Sequence, residues 1–417
     1  MKIWSVALVL FGFIVVAAAQ EAGPEWFVLD NKNDSVAETD TNEPLKEIVS
    51  KKEVVAEQML FKQLADDKYR FANNNKDLEL AAKWLKKEFE SARTQNILLS
   101  PLDFYYSSVL LANGVVDQTL VEFSKMFSVM RLTEVNQQVK TYIMRRNEST
   151  SIRLSLWGKV FSEHFSELMR KQLNVEIWGL KGTTAIINDW VKAKTKGEIS
   201  NIVIPEAVGK ADMFLASSAF FEANWQESFF SSKIEKKEAQ NLNGRVVAAD
   251  MLKGEGSTDY FEDDEMYAVR LFFNTGDFIS LYLPKDADNF ENFVKELNVN
   301  ILKPDYEKKD VTVILPKFEV EYQPSMIKDV YKMWGVQKIF EIGNYEFAKM
   351  ISFDTPAFVK DVFLKAKIKI KDGTSDGMSE MASAPADSSG KIIFNANRPF
   401  VFMINNGDFI GTIVKFD

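Results

Sequence analysis

The chain has 417 residues, 46% of them hydrophobic and 27% charged, with a formal charge of −9 and no cysteine. That is the composition of a globular protein with apolar material for a large core. The missing thiols exclude disulfides, thiol catalysis and thiolate metal sites, and the acidic balance argues against nucleic acid or an anionic membrane as a partner.

The first stretch, MKIWSVALVLFGFIVVAAAQ, places Lys2 before an apolar run from Val6 to Val16 and small residues at Ala17-Ala18-Ala19. This order predicts a secretory signal over residues 1–19, hence a secreted, extracellular protein. The apolar run is too short to cross a bilayer of ~30 Å at ~1.5 Å per residue. Residues 20–77 contain DNKNDSVAETDTNEP and read as an acidic, flexible extension with little to bury. The sequons at Asn33 and Asn147 fit an exported glycoprotein.

From residue 78 the pattern becomes dense. Leu78, Ala81, Leu85 and Phe89 recur at helical spacing. NILLSPLDFYYSSVLLANG predicts a short strand turning into a buried helix, with Pro101 in its first turn. Helical patterns continue through TLVEFSKMF, EHFSELMRKQLN and IINDWVKAKTKGEI. After Asp212, aromatic and β-branched runs such as MFLASSAFFEANW, FISLYLPK and DVTVILPKFEVEY predict strands, interrupted by the helices FENFVKELN and SMIKDVYKMWG. Helices first and strands later, without a linker, predict one α+β domain over residues 78–417.

No catalytic constellation emerges. The lone His164 in FSEHFSEL reads as a helix-surface residue, and nucleotide-loop and hydrolase-elbow motifs are missing, so no enzyme, metal or cofactor is expected. Lys365, Lys367, Lys369 and Lys371 alternate with Ala366, Ile368 and Ile370, a comb expected on the solvated face of a half-buried strand. Between VFLKAKIKI and KIIFNANRPFVFMI, both strand-like, runs DGTSDGMSEMASAPADSSGK from Asp372 to Lys391, with four acids and no aromatic, Val, Ile or Leu. Loops beyond about 12–15 residues are usually functional or disordered.

The surroundings of this loop resemble the serpins. NILLSPLDF at Asn96–Phe104 is similar to the motif opening the family's second helix, and GVVDQTLVEF to the stretch after it. INDWVKAKTKGEISNIV resembles the Asn-x-Trp-Val…Thr-x-Gly-x-Ile signature, and SSAFFEANWQESF the central strand and breach with Trp225. ISLYLPK, VILPKFEVEY, MWGVQKIF, FNANRPFVFMI and FIGTIVKF follow in the family's order. The resemblance implies three β-sheets, about nine helices and an exposed reactive-centre loop at residues 372–391 that baits a protease and inserts into the main sheet after cleavage.

Carried onto this chain, the resemblance makes Gly373, Thr374, Ser375 and Asp376 the hinge, and Ala384, Ala386, Asp387 and Ser388 the scissile region. Counting from Gly373 turns Thr374, Asp376, Met378 and Glu380 inward on insertion; counting back from Pro399 turns Ser375, Gly377, Ser379 and Met381 inward. Buried carboxylates in the first register would oppose insertion. The shutter and breach positions are Asn96, Ser100, Asp103, Ser217, Trp225 and Leu364. Among them Asp103 stands where the family has serine, Ser217 where it has asparagine, and Leu364 (or Phe363) where it has histidine. The hinge and altered shutter point to a monomeric, non-inhibitory serpin that binds another secreted protein. The alternatives are a suicide inhibitor of an elastase-like or other small-residue-specific serine protease, and a serpin cleaved without trapping.

Overall fold

The computed structural model describes residues 75–416 except 129–130, 146–147, 159, 180–183, 204–212, 227–229, 318, 352–355 and 372–391. The expected signal segment, both sequon asparagines, the hinge Gly373–Asp376 and the scissile candidates lie outside the described residues.

α1 (Asn75–Ser91) buries the expected Leu78, Ala81, Leu85 and Phe89. After β1 (Ile97–Leu99) comes α2 (Pro101–Asn113). Ser100 caps it by accepting from the Asp103 N–H at 3.2 Å, and Pro101 occupies the turn where a missing N–H loses nothing. Every residue of α2 from Pro101 to Ala112 is buried, so it runs through the core. Then follow α3 (Asp117–Phe127), α4 (Leu132–Arg145), β2 (Thr150–Gly158), α5 (Glu163–Leu173), β3 (Glu176–Gly179) and α6 (Thr184–Lys194). His164 lies exposed on α5. The strands β2 and β3 within this helical half were not signalled by the periodicity, because β2 is buried on both faces at its end and lacks clean alternation.

The second half carries β4 (Met213–Asn224), β5 (Phe230–Gln240), β6 (Val246–Glu262), β7 (Met266–Phe272) and β8 (Phe278–Pro284). These are followed by α7 (Phe290–Glu296), α8 (Val299–Leu302), β9 (Glu307–Pro316), β10 (Glu319–Tyr322) and α9 (Ile327–Met333). β11 (Val359–Lys371), β12 (Ile392–Asn395), β13 (Phe400–Ile404) and β14 (Phe409–Ile413) end the chain. The described residues thus hold nine α-helices within an α+β fold. No described helix is long and apolar enough to cross a membrane.

Five strands form one sheet in the order β10-β11-β4-β2-β3. Nine form the other, β1-β14-β13-β8-β7-β6-β9-β12 with β5 on β6. Two of the three implied sheets are continuous here, because the 17-residue β6 pairs β5 over its first part, β9 through its middle and β7 at its end. One large cluster of buried side chains draws on both sheets and on α1–α5. A second, built on Trp157, Trp190, Val191, Ile199, Ile202 and Phe214, covers the outer face of β2 and β4 beneath α6. β4 is therefore covered on both faces, which is why it reads as an almost unbroken apolar run.

β14 packs so tightly that a methyl group at Gly411 would overlap the Ile97 carbonyl oxygen on β1 and come within 2.7 Å of the Phe402 ring. Gly411→Ala is expected to destabilise the protein by about 2–4 kcal/mol, since the nearest obstacle is backbone and cannot swing away. Gly179→Ala, which would meet nothing within 4 Å, should leave the melting temperature close to wild type.

Candidate functional site at the β4–β11 seam

β4 and β11 are direct, parallel neighbours, in register from Asp361 opposite Phe214 to Lys371 opposite Asn224, after an irregularity that sets Val359 opposite Met213. In this register Leu364 stands beside Ser217. Phe363 faces the opposite side, edge-on to Phe214 at 5.9 Å, so Leu364 is the β11 residue that shares Ser217's inward face.

On that inner face Ser217 Oγ donates to Asp103 Oδ1 on α2 and also lies 3.3 Å from the Arg153 carbonyl oxygen on β2. Asp103 is 1% exposed. Its Oδ2 has no hydrogen-bond partner among the described residues, and neither has Ser107 Oγ one turn along the helix. Burial, opposed by the Ser217 hydrogen bond and by the nearby Ser107 hydroxyl, pushes the Asp103 carboxyl up to about 7. Burial chiefly, and then the Asp103 charge, likewise raise the Tyr106 hydroxyl. Across the seam Val362, Leu364 and Ala366 present only apolar surface.

The outer face carries a different chemistry. The lysine comb alternates as expected, yet its first two teeth are covered: Lys365 and Lys367 side chains are 13% and 12% exposed. Lys365 Nζ donates to the Ser200 carbonyl oxygen at 2.8 Å and pairs with Glu321 at 2.6 Å. Lys367 pairs with Glu198 at 2.9 Å and Glu319 at 2.8 Å, Lys369 reaches Glu198 at 3.4 Å, and Lys371 meets Glu222 at 3.1 Å. The Glu198 carboxyl is held below its usual range, first by the Lys367 hydrogen bond. Glu198 and Ser200 belong to the segment after α6, whose Ile199, Ile202 and Val203 are packed over β2 and β4. Gln323, just beyond β10, donates to the Ile202 carbonyl oxygen at 2.8 Å. This segment therefore straps the seam, apolar on the β4 side and ionic on the β11 side.

The other expected positions do separate jobs. Asn96 binds the end of the chain, accepting from the Val414 and Lys415 N–H groups and donating to the Lys415 carbonyl oxygen. Trp225, just past the end of β4, stacks on Phe273 with ring centroids 4.9 Å apart. Ser100 links the α2 cap to Asp408, donating to its carbonyl oxygen at 3.0 Å. The Asp408 carboxylate accepts from Tyr142 at 2.6 Å and Asn405 at 2.6 Å; Asn405 also donates to Asp277 at 3.1 Å, and Asp277 takes the Ser149 and Thr275 hydroxyls. This buried polar cluster was missed in the sequence. Its signal was the motif Asn-x-Gly-Asp-Phe, present at both Asn274–Phe278 and Asn405–Phe409, which reads as a plain hairpin turn.

The family model for Serpin (serine protease inhibitor) matches residues 75–415, and the chain belongs to that family. Antithrombin-III of Homo sapiens is 24% identical over 340 residues, covering 74% of this chain and 73% of that protein. Antichymotrypsin-2 of Bombyx mori is 25% identical over 264 residues, 59% of this chain and 70% of that one. Among solved structures, Serpin48 of the insect Tenebrio molitor superposes with TM-score 0.73 at 19% identity, over 84% of this chain and 99% of its own. Native protease nexin-1 with heparin gives 0.71 at 18% identity, over 82% and 98%.

If the strap crosses the seam, Glu198→Gln should speed amide hydrogen exchange in β4 and β11. Glu319→Gln, whose carboxylate bonds along the β10–β11 side only, should not. Either variant should lose no more than about 1 kcal/mol, because these ions stay partly hydrated, and the loss should fade in high salt.

Proposed function

We propose that this protein is a secreted, non-inhibitory serpin that acts by binding another secreted protein through its acidic extension or its long loop. The observation that carries this is the seam itself. Trapping a protease requires β4 and β11 to part quickly enough for the cleaved loop to enter as a strand. Here the outer face is strapped by Lys365 and Lys367 of β11 to Glu198 and Ser200, and on the inner face Ser217 of β4 is held to Asp103 of α2. Leu364 fills the place beside Ser217 with a side chain that cannot exchange hydrogen-bond partners as the strands separate. The loop sequence supports the same reading, since one of its two registers would carry Asp376 and Glu380 into the sheet interior.

A second reading has its own support. β4 and β11 are adjacent with no strand between them, the arrangement in which a sixth strand can still be added. On that reading the protein is a suicide inhibitor of an elastase-like serine protease, cut near Ala384 or Ala386.

Incubation with elastase- and subtilisin-type proteases separates the two. Non-inhibitory behaviour predicts clean cleavage, no adduct stable in denaturant, and little change in melting temperature after cleavage. A covalent adduct together with a large rise in melting temperature would establish inhibition instead, because strand insertion releases stored strain.

A further inference from the structure

Asp103 is a buried acid at a joint that has to move if the sheet is ever to open. A carboxylate in the first turn of a helix ordinarily meets backbone N–H groups and water. This one is 1% exposed, with Oδ1 on Ser217 and Oδ2 unpartnered among the described residues. The groups facing it are few. α2 contributes Ser100, Ser107 and Tyr106, and β4 contributes Ser217. β2 contributes Arg153, whose charge acts on Tyr106 and Glu176. α9 contributes Tyr331, whose hydroxyl accepts from Ser108 at 3.1 Å. β11 contributes Leu364 between Val362 and Ala366, with nothing titratable on that face. Among the described residues no cation is paired with the carboxyl group.

An uncompensated buried charge weakens whatever structure encloses it. α2 is sunk in the core, whereas the β4–β11 boundary is a ladder between two strands that can part. Parting them would admit water to Asp103 and Ser217 and remove the penalty on the ionised form. We propose that Asp103 couples opening of the β4–β11 seam to proton release, the neutral acid holding the seam shut and the carboxylate loosening it. This rests on the fold and holds whether or not the loop traps a protease.

The direction follows from the raised pKa of the closed state. Its carboxyl titrates near 7 rather than at the ordinary 3.8, so the closed seam binds the proton more tightly than an open, hydrated one. The stabilisation is complete below the ordinary carboxylate range and is lost as the pH rises through about 7. Coupling of one proton changes the closing equilibrium tenfold per pH unit, so between pH 5.5 and 8 the effect reaches roughly thirtyfold.

The test is amide hydrogen exchange of the full chain at pH 5.5 and 8, corrected for intrinsic chemical exchange. It follows β4 from Leu215 to Phe221 and β11 from Val362 to Ile368, with β13 as the internal control. Wild type should lose up to roughly thirtyfold in seam protection at the higher pH while β13 changes little. Asp103→Asn, neutral at both values, should be flat and as protected as wild type at pH 5.5. If that variant fails to fold, Asp103→Ser serves the same comparison. Seam protection that is flat in wild type, that keeps its pH dependence in the neutral variants, or that changes equally in β13 would overturn the proposal.

Discussion

The pairing of β4 with β11 is the constraint on which the rest of the molecule depends. It is a parallel ladder, and parallel strands can be joined only by a long crossover. The crossover here holds β5 to β10 and three helices, so most of the nine-stranded sheet is assembled within the connection. Closing the seam brings together segments more than a hundred residues apart, which is entropically expensive and slow to form. Such a joint is held by its side-chain surroundings as much as by its backbone bonds.

Those surroundings differ sharply between the two faces. Outside, lysines and glutamates make several short contacts, but they remain in partial contact with water, and each pair contributes at most about 1 kcal/mol. Inside, a single carboxyl group lies where water does not reach, and its ionisation carries a penalty of several kcal/mol unless paired. The inner face is therefore the more sensitive of the two to ionisation, even though it has fewer contacts. Leu364 sharpens this, because an apolar side chain beside Ser217 can neither accept the proton nor solvate the charge.

The polar cluster around Asp277, Asn405 and Asp408 shows the opposite case. There the carboxylates are also buried, yet hydroxyl and amide donors converge on them from α4, from the start of β2 and from two hairpin turns. Satisfied in this way, buried polar groups fix geometry rather than store cost. Ser100 links the two situations, since it caps α2 beside Asp103 and donates to the backbone of Asp408. The orientation of the helix that carries Asp103 is thus set partly by a cluster that lies away from the seam.

The sequence alone determined the element types wherever one face is buried and the other wet. The helical spacing of Leu78, Ala81, Leu85 and Phe89, the cap-proline start of α2, the alternation along the lysine comb and the order of family motifs were all legible. These signals are local, set by backbone period and side-chain size. The tertiary structure alone decided which side chains meet: that Asp103 is enclosed rather than solvated, that Leu364 and not Phe363 lies beside Ser217, and that the lysines find Glu198 and Ser200 across the seam. A charged residue in the first turn of a helix looks the same in sequence whether it faces water or a core. The difference lies in what the far half of the chain places over it, and no local pattern encodes that.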